Sequence, residues 1–241
     1  MLKRSIVDSG RVATPAAAFL RGARDIVPIV AAAAPFGLVF GALAVQKGLA
    51  FPEAVLMSAI IYAGASQFAA LELWSPPLPV WAILFSVLAV NFRHVLYSAA
   101  LGRRMRHWPA AGRLAGFGLM VDPVYALAEL NGGARLSGFY YAGIALPLYA
   151  GWVAASAVGA AFGNLIADPR ALGLDFVLTA YFLIFVVGFR ARRNAAPIIA
   201  IAAVVAVAVH LVAGPPWHIG AGALAGIAMA AALAGRGRAA A

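Results

Sequence analysis

The chain contains no cysteine, which removes disulfides and thiolate metal sites from consideration. Histidine is also scarce, and the four present are scattered without a neighbouring ligand pattern, so no metal site is expected. Charged residues make up only 11% of the sequence, whereas a soluble globular domain carries about a quarter. There is no Gly-rich, Lys-containing loop of the kind that cradles nucleotide phosphates, so the chain does not hydrolyse ATP by itself. No nucleophile stands beside a general base, and no second aspartate accompanies the single central one. Neither a serine–histidine nor a two-aspartate intramembrane protease is assembled, and no catalytic residues are expected. A channel would need a continuous polar lining, whereas polar residues are confined here to a few blocks.

What is present is apolar surface. Hydrophobic residues account for 64% of 241 positions, more than one buried core can hold, and they fall in repeated runs of about helix-spanning length. The formal charge of +10 is concentrated between these runs. Arg21 and Arg24 precede the first; Arg103, Arg104, Arg106 and Arg113 follow the third; Arg190, Arg192 and Arg193 follow the sixth; Arg236 and Arg238 end the chain. Juxtamembrane arginines on the cytoplasmic side explain this placement directly. A basic nucleic-acid footprint needs a charged face on a folded surface, so no nucleic-acid partner is expected and membrane lipid is.

Eight apolar segments can be drawn: Ile26–Val45, Ala54–Leu73, Val80–Leu101, Leu114–Leu130, Tyr140–Ile166, Leu174–Phe189, Ala195–Val212 and Trp217–Ala234. The fold class that follows is an all-α polytopic integral membrane protein. Residues 1–25 read as a cytoplasmic leader rather than a signal peptide, 26–234 as the membrane transport domain, and 235–241 as a short basic tail. Eight simple crossings from an inside N-terminus would place the Arg103–Arg113 loop outside, against the charge rule. Broken or re-entrant second and fourth segments would return every arginine cluster to the cytoplasm. Those two segments also carry the oddest polar content, "YAGASQF" and "GFGLMVDPVYAL". Hydropathy alone leaves both topologies open. Trp74, Trp81, Trp108 and Trp217 lie at segment edges, as an interfacial belt requires; Trp152 is the exception.

Small residues recur every four positions at Ala33, Gly37 and Gly41 and at Gly151, Ala155, Gly159 and Gly163, with Gly222 and Gly226 a further pair. That spacing puts them on one helical face and suits close helix packing. Pro35 opens the backbone ladder just before Gly37 and Gly41.

Polar side chains mark the candidate site. On a helix, Ser58, Tyr62 and Ser66 would share a face, and Gln67 would point away from it and need its own partner. The stripe is either an interhelical hydrogen-bond network or a lining for a polar substrate. "AGAS" is small enough to let a ligand or a neighbouring backbone come close. In the third segment Asn91, His94 and Ser98 share a face, with Tyr97 beside it. Arg93 either snorkels to the interface or meets an acidic or anionic group. Asp122 is the one centrally placed carboxylate, which is costly in a membrane and by default marks function. Pro123 disfavours helical geometry at Asp122 itself. A structural pairing of Asp122 with an arginine is the alternative.

"PFGLVFGALAVQKG", "AIIYAGASQFAAL" and "NFRHVLYSAAL" resemble blocks of the AzlC family, the large subunit of bacterial branched-chain amino acid exporters. The resemblance extends over nearly the whole chain. It implies export of valine-like amino acids across the bacterial cytoplasmic membrane, with a small hydrophobic AzlD-type subunit as partner and no cofactor. Proton coupling is left open. Carried over by position, the family's polar blocks fall on Tyr62, Gly64, Ser66, Gln67, Asn91, Arg93, His94 and Tyr97. Asp122 matches the first residue of an Asp-Glu pair common in the family, and Pro123 stands where the glutamate would be. A substrate ammonium would suit Asp122, and its carboxylate Arg93 or an open helix N-terminus. A branched side chain would rest on residues such as Phe68 or Leu96. A non-transporting subunit of a membrane complex, or a transporter of another small amphipathic solute, is the competing reading.

Overall fold

The computed structural model describes residues 14–133, 135–163, 183, 186–187, 194–214 and 217–239. The sixth segment, Leu174–Phe189, and the first thirteen residues of the leader lie outside the described residues, apart from three positions in the former. Every regular element among the described residues is an α-helix: α1 Pro15–Gln46, α2 Phe51–Ile60, α3 Gly64–Glu72, α4 Val80–Asn91, α5 Arg93–Gly102, α6 Ala110–Gly118, α7 Asp122–Asn131, α8 Gly138–Phe162, α9 Ala195–Ala213 and α10 Trp217–Ala239.

Local chemistry sets the ends of these helices. Thr14 Oγ1 accepts the Ala17 N–H at 3.3 Å, and Pro15 opens α1 where its missing donor costs nothing. α1 continues through Pro28 and Pro35, each of which forgoes one ladder bond. At its far end Gly48 takes φ +94°, and the Leu49 N–H returns to the Ala44 carbonyl at 3.1 Å, a left-handed turn that favours glycine. Glu53 Oε2 accepts the Ala50 N–H at 2.7 Å and fixes the start of α2. Phe92 keeps right-handed torsions, so α4 and α5 form one span from Val80 to Gly102.

The second and fourth segments are discontinuous. The second divides into α2 and α3 around Ile61–Ala63, with Ala63 at φ −153° and ψ 83°. The fourth divides into α6 and α7 around Leu119–Val121, with Val121 extended at φ −123° and ψ 169°. Among the described residues, four helices are long and apolar enough to cross a membrane: Pro15–Gln46, Val80–Gly102, Gly138–Phe162 and Ala195–Ala213. Their outward faces are apolar, with Leu88, Val204 and Leu211 exposed and Val212 90% exposed, as a surface meeting lipid tails would be.

The chain forms two compact units, one joining the chain up to Ala32 with Tyr97–Gly151 and the other joining Ala33–Leu96 with the chain from Trp152. In the first, Tyr140 and Tyr141 are buried with Leu101, Met105 and Ile144. The Tyr141 hydroxyl donates to the Gly116 carbonyl at 2.6 Å, and Trp108 Nε1 donates to the Leu136 carbonyl at 2.8 Å. Gly151 lies against Val30, whose Cγ1 would be 2.7 Å from an added Cβ. In the second, Phe40 meets Phe68 edge-on at 6.0 Å and stacks on Trp152 at 6.4 Å, in a core with Leu49, Ala54 and Leu71.

The second unit also holds most of the small-residue positions. A Cβ at Gly41 would strike the Ser156 carbonyl, one at Gly159 the Leu38 carbonyl, and one at Gly37 would come 2.8 Å from the Ala155 Cβ. Gly163 lies against the Ala42 backbone. Here α1 and α8 touch backbone to backbone. Between α9 and α10, a Cβ at Gly222 would fall 2.9 Å from the Ala202 carbonyl, whereas one at Gly226 would meet only the Ala202 Cβ at 3.4 Å and the Ile198 side chain.

Candidate functional site

The break between α2 and α3 is organised by Gln67, which is completely buried. Its Nε2 donates to the Met57 carbonyl at 3.0 Å, and its Oε1 accepts the indole N–H of Trp152 at 3.1 Å. Met57 lies in the last turn of α2, and its carbonyl also accepts the Ile61 N–H at 3.0 Å, so the amide is its second donor. One amide on α3 thus joins the end of α2 to α8. Trp152, anomalous as an interfacial tryptophan, is a buried donor in this network. A Cβ at Gly64 would fall 2.9 Å from its ring, so the first residue of α3 has space for hydrogen alone.

The expected polar stripe of Ser58, Tyr62 and Ser66 does not form. A four-residue spacing aligns side chains only within one helix, and α2 ends at Ile60. Ser58 donates to Ser156 Oγ at 2.8 Å, and Ser156 donates in turn to the Trp152 carbonyl at 2.8 Å. Tyr62 packs against the apolar core. Ser66 donates to Asn91 Oδ1 at 2.8 Å, tying α3 to the end of α4. His94 Nδ1 lies 3.1 Å from the Asn91 carbonyl; since that oxygen can only accept, Nδ1 is the donor. Ser156 was not singled out from sequence, although it lies one position from Ala155 in the small-residue stripe.

A cavity of about 470 Å³ opens beside this break, lined by Ser66 and Glu53 and otherwise by apolar residues including Met57, Ile61, Ile83 and Val87. Its composition suits a small solute with a polar head and an aliphatic body. Glu53 escaped the sequence reading because it sits at a segment end. Phe68 is not on this wall but in the core, 1% exposed. Arg93 and Leu96 line a separate apolar groove of about 720 Å³, bounded by Leu88, Trp217 and Leu224.

Tyr97 and Asp122 belong to the other unit. The Tyr97 hydroxyl donates to Asp122 Oδ1 at 2.7 Å, and its ring stacks on Tyr125 with centroids 4.2 Å apart and planes 10° from parallel. Asp122 is itself the first helical residue of α7, contrary to the expectation that Pro123 would exclude it from the helix. The extended residue is Val121, one position earlier. Proline in a first turn forgoes no ladder bond, and an acidic side chain there is favoured by the helix dipole. Arg104 closes the opposite end of α7, donating to the Glu129 carbonyl and pairing with the Glu129 carboxylate, both at 3.2 Å.

The Gln67 network makes a specific demand. Gln67→Leu would leave the indole N–H of Trp152 with no acceptor, a loss costing about 1–3 kcal/mol when buried, while the Met57 carbonyl would keep the Ile61 N–H. A lower thermal midpoint of the purified protein and an altered Trp emission spectrum are expected. An unchanged midpoint in Gln67→Leu would show that the amide does not hold the break.

Residues 28–166 match the family described as AzlC protein. The inner membrane protein YgaZ of Escherichia coli (strain K12) is 33% identical over 186 residues, covering 74% of this chain and 76% of the relative. An uncharacterized membrane protein of Archaeoglobus fulgidus is 32% identical over 213 residues, 87% of this chain and 93% of its own length. The branched-chain amino acid transport protein AzlC of Bacillus subtilis (strain 168) is 27% identical over 169 residues, 70% of this chain and 66% of that protein. No solved structure matches the chain. These similarities support a membrane transport role, and with the family match spanning more than half of its length, the chain belongs to the AzlC family of multi-pass membrane proteins.

Proposed function

We propose that this chain is the large subunit of a secondary transporter that exports branched-chain amino acids such as valine, working with a small hydrophobic AzlD-type subunit. The observation that carries the reading is the pair of helix breaks, each with polar side chains fixed beside it inside an apolar segment. Non-helical backbone at membrane depth is tolerated where it is buried in protein or lines a cavity, and broken helices are the usual substrate and ion sites of transporters. The cavity with Ser66 and Glu53 among aliphatic residues accommodates the dual character of a branched-chain amino acid. The similarity to the Bacillus subtilis transport protein points the same way. In this reading Asp122 meets the substrate ammonium or carries a coupling proton. The N-terminus and the Arg103–Arg113 loop face the cytoplasm.

Cells lacking their own exporters, loaded with a valine-containing dipeptide, test this. Co-expression of the chain with a small AzlD-type subunit is expected to raise external valine and lower the internal pool. Unchanged efflux with both proteins present in the membrane would overturn the substrate assignment. Association of the two proteins without flux of any amino acid would identify a non-transporting subunit instead.

A further inference from the structure

Two histidines stand apart from both polar clusters. His210 lies in the last turn of α9, where its carbonyl accepts the Gly214 N–H at 3.0 Å. His218 is the second residue of α10. The two rings lie together, with centroids 5.0 Å apart and planes at 74°. His210 is exposed, whereas His218 Nδ1 is buried and has no hydrogen-bond partner. A polar nitrogen shut away from water normally finds a partner, and leaving one unmet costs about 1–3 kcal/mol.

We propose that His210 and His218 form a two-imidazole site for a divalent first-row transition metal. An ion bound at about 2.0–2.1 Å to one nitrogen of each ring, at a near-tetrahedral angle, sets the ring centroids about 5 Å apart. The observed separation of 5.0 Å suits two imidazoles sharing one ion, and an edge-to-face ring pair without an ion falls in the same range. Neutral imidazole is a ligand for Cu²⁺, Zn²⁺ and Ni²⁺, whereas Mg²⁺ and Ca²⁺ take oxygen ligands. Cu²⁺ stands at the top of the affinity order for such ligands. Trp217, the exposed first residue of α10, is a residue type that settles at the membrane–water boundary, where water can complete the coordination. Metal binding would also give the orphaned nitrogen the partner it lacks.

The probe is Cu²⁺, titrated into the full-length protein in detergent and followed by electron paramagnetic resonance. A saturable signal with hyperfine coupling to two imidazole nitrogens is expected. His210→Ala and His218→Ala should each lose that two-nitrogen pattern, and His107→Ala should keep it. The wild-type protein offers a reading that needs no variant. Cu²⁺ should protect His210 and His218 from diethyl pyrocarbonate, scored by mass spectrometry, and leave the exposed His107 unprotected. A two-nitrogen signal that survives in the His210→Ala/His218→Ala protein, a signal without imidazole coupling, or equal modification of His210 and His218 with and without Cu²⁺ would each overturn the site.

Discussion

Asp122→Asn is expected to abolish or strongly reduce valine efflux while leaving the protein in the membrane at near-normal levels. Asparagine preserves the size of the side chain and an acceptor for the Tyr97 hydroxyl, now 2.7 Å from Oδ1. What disappears is the charge. A hydrogen bond to a charged group contributes about 1.5–3 kcal/mol and a neutral one about 0.5–1.5, so the stability lost is on the order of 1 kcal/mol. Loss of a charge that must meet an ammonium or carry a proton is not graded in this way, because no other carboxylate lies at the start of α7. The measurement is efflux against external pH, normalised to membrane protein, for wild type, Asp122→Asn and Tyr97→Phe. Tyr97→Phe retains the charge and removes the donor, so partial activity is expected from it. Full transport by Asp122→Asn with an unchanged pH profile would remove this residue from the mechanism.

Gly41→Val is expected to cost the most folded protein of any single substitution considered. The first new carbon would collide with the Ser156 carbonyl and come 2.6 Å from the Ala160 nitrogen. Both obstacles are main chain, so no rotamer change relieves them. Overpacking in cores that can shift side chains costs about 1–3 kcal/mol, and a backbone clash belongs at or above the top of that range. Gly226→Ala is the matched control, since its added carbon meets the Ala202 Cβ at 3.4 Å. It should stay within about 0.5 kcal/mol of wild type. Size-exclusion profiles and thermal midpoints in detergent distinguish the two, and a wild-type profile for Gly41→Val would refute the close contact.

The helical membrane architecture could be read from the sequence because apolar run length and arginine placement act locally. The two discontinuities were legible for the same reason: "YAGASQF" and "MVDPVY" put polar or helix-disfavouring residues where lipid would tolerate neither. Their details were not legible. The break after Ile60 is held by Gln67 with Trp152, 85 positions away, and by Ser58 with Ser156, 98 positions away. Nothing in the spacing of Ser58, Tyr62 and Ser66 signals such partners, and a face computed across the break misplaces all three. Asp122 could be recognised as central but not as the opening residue of a helix, since Pro123 is compatible with both a break and a start. Glu53 and Ser156 were passed over because position within a segment is a poor guide to what a fold turns inward.

The seam where Gly41, Gly159 and Gly163 sit main chain against main chain has a mechanical meaning for this unit. Two helices separated by long side chains can creep past one another as rotamers readjust. Here that lubricating layer is absent: an axial slip of one residue, about 1.5 Å, would drive an alanine methyl or a serine methylene into a space sized for hydrogen. This stretch of α1 and α8 therefore behaves as a single stiff strut, and the non-helical torsions at Ile61–Ala63 beside it are a place where the backbone can turn without dislodging the strut.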